Sequence, residues 1–142
     1  MPYHYETEGP QLRTRIVAEH KDPAALFADG ARGLWNLVIP TIALRGHDRV
    51  KIVVDSADLQ SLYEEWLKEV LVRSDVEGIL LNDFRVATIQ KLDDGRLLLT
   101  GEAFGEAFDA EKHKLSRDPK TLKPSDAKCV EKDGVTTCTV FV

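Results

Sequence analysis

Cysteine is nearly absent: Cys129 and Cys138 are the only two in 142 residues. That is too few for a disulfide-built scaffold or a cysteine-rich zinc site. Long apolar runs are missing as well. Stretches such as Ile79-Leu80-Leu81 and Leu97-Leu98-Leu99 fall far short of the roughly 20 residues that span a membrane as a helix. Met1-Pro2-Tyr3-His4-Tyr5-Glu6 lacks the basic start and apolar core of a signal peptide, so a cytoplasmic location with no membrane partner is expected. An excess of positive charge is lacking too. Net charge is −5, whereas binding along a phosphate backbone normally needs a basic face. The local cluster Lys112, Lys114, Arg117, Lys120 and Lys123 reads as a solvated, charge-mixed surface, and no direct nucleic-acid binding is expected.

What is present is a globular balance. Apolar residues make up 43% and charged residues 30%, enough side chains for a real core, and no compositional break divides the chain. One domain over residues 1–142 is expected.

The periodicity predicts an α+β domain of two amphipathic helices packed on antiparallel or mixed β-sheet. A strand covers Thr14 to Glu19. Asp22 reads as an N-cap and Pro23 as the first helical residue. Leu26, Phe27, Ala31, Leu34, Trp35 and Val38 then recur at helical spacing until Pro40. Gly30 and Gly33 lower that helix's propensity, so close packing against a sheet is their expected role. Arg49 to Val54 reads as a strand. A second helix, capped by Asp55 or Ser56, carries Leu59, Leu62, Tyr63, Trp66, Leu67, Val70 and Leu71 in a three-four pattern and ends before Gly78. The period then changes to two: one or two strands over Ile79 to Leu92, a turn at Asp94-Gly95, and a returning strand over Arg96 to Phe104. The unit in Gly101-Glu102-Ala103-Phe104 recurs once, in Gly105-Glu106-Ala107-Phe108, and reads as coincidence. A loop or short strand over Asp109 to Asp118 leads to a final hairpin, Ala127 to Val142. About six strands result.

In that hairpin Asp133-Gly134 is a two-residue turn. Its register sets Lys132 opposite Val135 and Cys129 opposite Cys138, the latter a non-hydrogen-bonded pair, which is the closer kind. Two reduced core thiols are expected in a cytosol; a cross-strand disulfide is the alternative.

Chemistry-bearing motifs are scarce. His4, His20, His47 and His113 stand at no metal-ligand spacing, and neither a phosphate-binding glycine loop, a nucleophile elbow nor a dinucleotide fingerprint occurs. Carboxylate pairs such as Asp93-Asp94 and Glu64-Glu65 read as solvated faces. No catalytic residue is assigned.

The order of elements nevertheless resembles one family. Leu62-Tyr63-Glu64-Glu65-Trp66-Leu67-Lys68-Glu69-Val70-Leu71 followed by Asp75-Val76-Glu77-Gly78-Ile79-Leu80-Leu81-Asn82-Asp83-Phe84-Arg85-Val86 is similar to the archease pattern, a Trp-Leu helix running through an acidic turn into a strand. Gly105-Glu106 leading to His113, and the small-residue helix from Ala25 to Trp35, resemble the same family across essentially the whole chain. The resemblance implies an accessory protein, not an enzyme, that activates an RtcB-type tRNA-splicing RNA ligase by promoting its guanylylation and turnover. It also implies a site for a divalent cation such as calcium, built from an Asp in an N-terminal His-Thr-Ala-Asp motif, an Asp beside the C-terminus, and carbonyl oxygens.

This sequence departs from the pattern at those places. Pro10-Gln11-Leu12-Arg13 stands on the His-Thr-Ala-Asp motif, putting Arg13 at the metal-binding Asp, and Thr139-Val140-Phe141-Val142 has no Asp. Of the family's Lys-Ala-x-Thr-Tyr-His segment only Lys120 remains. An oxygen-only cation site needs several carboxylates or carbonyls, so no metal or other cofactor is expected. Arg13 is expected to stand in for the cation and pair with the terminal carboxylate of Val142; the alternative leaves it in solvent. Arg13, His113 and Lys120 are the candidate partner-binding residues. Two readings follow: a ligase accessory protein, or a diverged relative that binds another protein or a small ligand. A metal-dependent hydrolase would need a titratable cluster in a cleft, which the sequence does not offer.

Overall fold

A computed structural model describes residues 3–40, 44–45 and 47–142, so Met1 and Pro2 of the N-terminal stretch lie outside the described residues. The element order is β1 (Tyr3–Glu8), β2 (Arg13–His20), α1 (Pro23–Asn36), β3 (Asp48–Ser56), α2 (Leu59–Glu77), β4 (Ile79–Lys91), β5 (Leu97–Ala107), a single 3₁₀ turn (Pro119–Thr121), β6 (Ser125–Lys132) and β7 (Val135–Phe141). The strands form two sheets, ordered β1-β2-β7-β6 and β3-β5-β4, with every pairing antiparallel. α1 packs on β4 and β2 and α2 on β3 and β6, so each helix joins the two sheets. The class is α+β. No helix among the described residues is long and apolar enough to cross a membrane.

The helices obey their local signals with one correction. The Asp22 carboxylate accepts the Ala24 N–H at 3.1 Å and Pro23 opens α1. β3 runs through Asp55 and Ser56, so the cap of α2 is Asp58, whose Oδ1 accepts the Ser61 N–H at 2.8 Å. That bond, with the Ser61 hydroxyl, holds the Asp58 carboxyl below its ordinary range. Gly78 ends α2 at φ 68, a left-handed conformation that a Cβ would oppose. Trp35, Trp66, Tyr63 and Phe27 are the largest fully buried side chains. The Trp66 indole donates to the Phe27 carbonyl at 2.8 Å, which ties α2 to α1.

Of the two helical glycines, Gly33 faces the sheet as expected, against Tyr3 and Ile16. Gly30 instead faces α2: a Cβ there would collide with the Tyr63 hydroxyl. Burial raises the pKa of that hydroxyl, and the Asp29 charge adds to the effect.

β1 was not legible as a strand. It is an edge whose inward face offers only Tyr3 and Tyr5 between polar residues. β4 is one strand with two bulges, at Leu81/Asp83 and Val86/Thr88. Gly105 lies opposite the first and Gly101 opposite the second. A Cβ on Gly105 would stand 2.9 Å from the Leu81 Cα and nearer still to the Leu80 carbonyl, and one on Gly101 would meet the Arg85 carbonyl at 2.7 Å. Both glycines belong to the Gly-Glu-Ala-Phe unit that recurs here. Each copy supplies the side-chain-free position that one bulge requires.

Segment 109–118 contains no strand. The final hairpin has the expected register, Lys132 with Val135 through Cys129 with Cys138, and Asp133 and Gly134 both take positive φ, at 55 and 78.

Candidate functional site

Arg13 opens β2 at one end of the first sheet. Arg15 pairs with Phe141, so period-two alternation puts Arg13 and Phe141 on one face as diagonal neighbours. The Arg13 guanidinium carbon lies 4.2 Å from the centroid of the Phe141 ring. Its Nη2 donates to Ser125 Oγ at 3.3 Å and stands 3.6 Å from Asp126 Oδ2. Asp126 reaches this place from a left-handed conformation, φ 53, within the irregular pairing between Ser125 and Lys128.

This corrects the expected pairing with Val142. The Val142 N–H bonds the Thr14 carbonyl at 3.0 Å and its side chain packs on the core, while the ion-pair partner of the Arg13 guanidinium is Asp126 and not the terminal carboxylate. Arg13 and the end of β7 do meet, but the residue facing Arg13 is Phe141 and the carboxylate is that of Asp126. With the Arg13 and Asp126 side chains 45% and 66% exposed, the pair contributes about 0.2–1 kcal/mol and the ring contact about 0.5–1 kcal/mol.

The corner does not suit the divalent cation that the resemblance implies. Its donors are one carboxylate and one hydroxyl, with an aromatic ring and a guanidinium beside them. A hard cation takes six or more oxygens and would be repelled by the fixed positive charge of Arg13. Among the described residues, no group of three or more His, Cys, Asp or Glu side chains could hold a metal ion.

A second charged corner follows β5. Glu106 Oε2 accepts from Lys112 Nζ at 2.7 Å, and Oε1 accepts the Arg45 backbone N–H at 2.8 Å. These donors, Lys112 foremost, hold the Glu106 carboxyl down at about 2. His113 is buried, stacked 6.0 Å from the Phe108 ring. Its Nδ1 accepts the Asp109 N–H at 3.0 Å, so a neutral ring carries its proton on Nε2, 3.3 Å from Glu106 Oε2. The Asp109 carbonyl accepts from both Lys112 and His113. The Lys112, His113 and Asp109 bonds close the turn after β5, and the Arg45 bond ties it to the segment before β3.

Lys120 lies elsewhere, on the 3₁₀ turn, with Nζ 3.7 Å from Asp75 Oδ1 of α2. No hydrogen bond or ion pair joins any two of Arg13, His113 and Lys120. The basic residues of this stretch are charge-mixed, as expected: Lys112 goes to Glu106, Lys120 to Asp75 and Arg117 to the Thr14 hydroxyl. Asp126, Ser125 and Phe141 went unassigned in the sequence. Glu106 was visible in the Gly-Glu segment, but nothing local marked Asp126, whose placement depends on a bulge.

Cys129 and Cys138 form a disulfide, not the two reduced thiols expected. They sit directly opposite in the register with Cα atoms 4.1 Å apart, the close approach of a non-hydrogen-bonded pair. The Cys129 N–H accordingly points out of the sheet, to Gln60 Oε1 at 3.1 Å, and the Ala127 N–H goes to Glu64 Oε1 at 3.2 Å. One helical turn between Gln60 and Glu64 matches the two-residue step along β6, and α2 thereby covers the sheet edge. Glu64 is therefore a structural acceptor and not part of a solvated face.

Residues 14–142 match the Archease protein family. This chain belongs to that family. Protein archease of Pyrococcus furiosus is 35% identical over 102 residues, covering 72% of this chain and 70% of that one. Protein archease of Methanopyrus kandleri is 28% identical over 112 residues, covering 79% of each. The solution structure of Methanobacterium thermoautotrophicum protein 1598 superposes with a TM-score of 0.79 at 23% identity, over 99% of this chain and 97% of that one, so the two share their fold. Within the archease family, then, this chain keeps the architecture.

Proposed function

We propose that this archease-family chain is a non-enzymatic, cytoplasmic accessory protein that promotes guanylylation and turnover of an RtcB-type tRNA-splicing RNA ligase. The observation that carries the reading is how its charged side chains are used. In a chain matching the family over residues 14–142, the Glu106 carboxylate is committed to Lys112 and the Arg45 N–H. The His113 Nδ1 is committed to the Asp109 N–H, and Arg13 is held on Phe141 beside Asp126. Such groups shape a contact surface; none is poised as a nucleophile or general base. A second reading, a diverged relative serving another protein or a small ligand, is favoured by Arg13 alone, because a metal-dependent contact with the ligase would be lost with it.

The test is multiple-turnover RNA ligation by the same organism's RtcB-type ligase, with and without this protein, in matched metal. Stimulation together with faster accumulation of guanylylated ligase is the expected result. An active ligase that this protein leaves unchanged would transfer the case to the second reading.

A further inference from the structure

The Cys129–Cys138 disulfide stands where the final hairpin changes character. On the turn side, Val130 to Lys132 pair one for one with Val135 to Thr137. On the other side the ladder is irregular, between Lys128 and Ser125. That irregular stretch carries Asp126, in its left-handed conformation, to the Arg13 guanidinium. The bridge therefore pins β6 to β7 at the last regular pair before the Arg13 corner.

The hairpin does not need the bridge to close. Asp133 and Gly134 already take the positive φ of a tight turn, and the pairs beside them fix the register. The bond spans a sequence separation of only 9, and short loops gain least from cross-linking. Opening it leaves β6 on β7 and so gives a second folded state. The two sulfurs are also unequal in access. Cys138 is fully buried, whereas Cys129 is half-buried on a strand at the edge of its sheet. Attack from solvent falls on Cys129, with Cys138 as the leaving group.

We propose that Cys129–Cys138 is a redox switch, opened by a dithiol reductant, that governs the contact of Asp126 with Arg13. A thiolate of the reductant attacks Cys129 Sγ, the S–S bond breaks, and its electron pair leaves on Cys138 Sγ, which takes up a proton. The second thiol of the reductant then displaces Cys129 from the mixed disulfide and closes the reductant's own S–S bond. Two electrons pass to the protein, and the dithiol is oxidised. The Asp126–Arg13 pair is exposed and weak, so a small relaxation of β6 is enough to release it. The accessory reading supplies only the reducing compartment; the switch itself does not depend on it.

The test treats the oxidised full chain, without denaturant, with dithiothreitol, and follows alkylation of the thiols by mass spectrometry and the fold by NMR. Both thiols are expected to become alkylatable in the folded protein, and oxidised glutathione should restore the bridge. Reduction should shift the Asp126 amide and Arg13 Nε signals while those of α1 hold still. The double change Cys129→Ser with Cys138→Ser should reproduce the reduced spectrum. With single thiols, Cys129 in Cys138→Ser should be alkylated roughly tenfold faster than Cys138 in Cys129→Ser. A bridge that resists dithiothreitol until denaturant is added would be a structural staple and would overturn the proposal. So would reduction that unfolds the chain, reduction that leaves the Asp126 and Arg13 signals in place, or thiols that stay free under oxidised glutathione. RNA ligation is assayed separately with both redox forms. If neither form stimulates an active ligase while the bridge opens and closes as described, the accessory reading falls and the switch stands.

Discussion

The two charged corners contain similar ingredients, a cation, a carboxylate and an aromatic ring, yet are built on different principles. At the Arg13 corner the charges are exposed, and the bonds run from side chain to side chain. Around Glu106 the carboxylate side chain is only 14% exposed and His113 only 3%, and their bonds reach backbone N–H groups of Arg45 and Asp109. An exposed side-chain pair is a weak contributor because water screens it and both partners lose rotamer freedom. A buried side chain that satisfies a main-chain donor is costly to remove, since the donor is left unpaired. The difference makes the Arg13 corner the one that tolerates substitution and the Glu106 corner the one that does not.

The comparison is sharpened by substitutions graded from the second corner to the first. The largest effect is expected from Gly105→Ala, immediately before Glu106, because its Cβ would enter the backbone of the β4 bulge. Overpacking against backbone, which cannot rotate away, should destabilise by about 3 kcal/mol, read from the midpoint of urea unfolding at unchanged slope. His113→Ala should cost about 2 kcal/mol by the same measurement, because the Asp109 N–H loses a buried acceptor. Glu106 contributes to the acid side, as do Glu6 and Asp58, whose carboxyls are also held below their ordinary range. The folded pKa of Glu106, about 2, lies below its ordinary 4.5, so the native state binds fewer protons there, and the stabilisation is complete above about 4.5. It should decline as pH falls toward 2. Glu106→Gln should flatten that part of a stability-pH profile; an unchanged profile would mean that the Lys112 contact is not maintained in solution. The smallest effect belongs to Arg13→Ala, about 1 kcal/mol for the exposed ion pair and the ring contact together. A larger loss there would mean that the two corners do not differ as described.

Much of the fold was legible because the signals were local. Asp22-Pro23 before a three-four apolar pattern specifies α1, and Asp133-Gly134 specifies the final hairpin with its register. The cap of α2 was misplaced by two or three residues because Asp55, Ser56 and Asp58 are all competent caps, and the choice depends on how far β3 stays paired with β5. β1 escaped notice because an edge strand buries only one face. At the candidate sites the residue types were readable and their partners were not. Arg13 could be singled out, but whether it met Val142 or Phe141 rested on alternation along β2 and β7.

The sequence by itself determined the α+β class, both helices and the opposition of Cys129 to Cys138, since each follows from spacing within one element or across one short turn. Only the tertiary structure decided the rest. It laid Gln60 and Glu64 along the open edge of β6 and placed Asp126 beside Arg13. The reason is the same throughout: these contacts join residues far apart in the chain, or hang on a bulge that shifts a strand by one position. Interactions of that kind form only once the sheets and helices have packed.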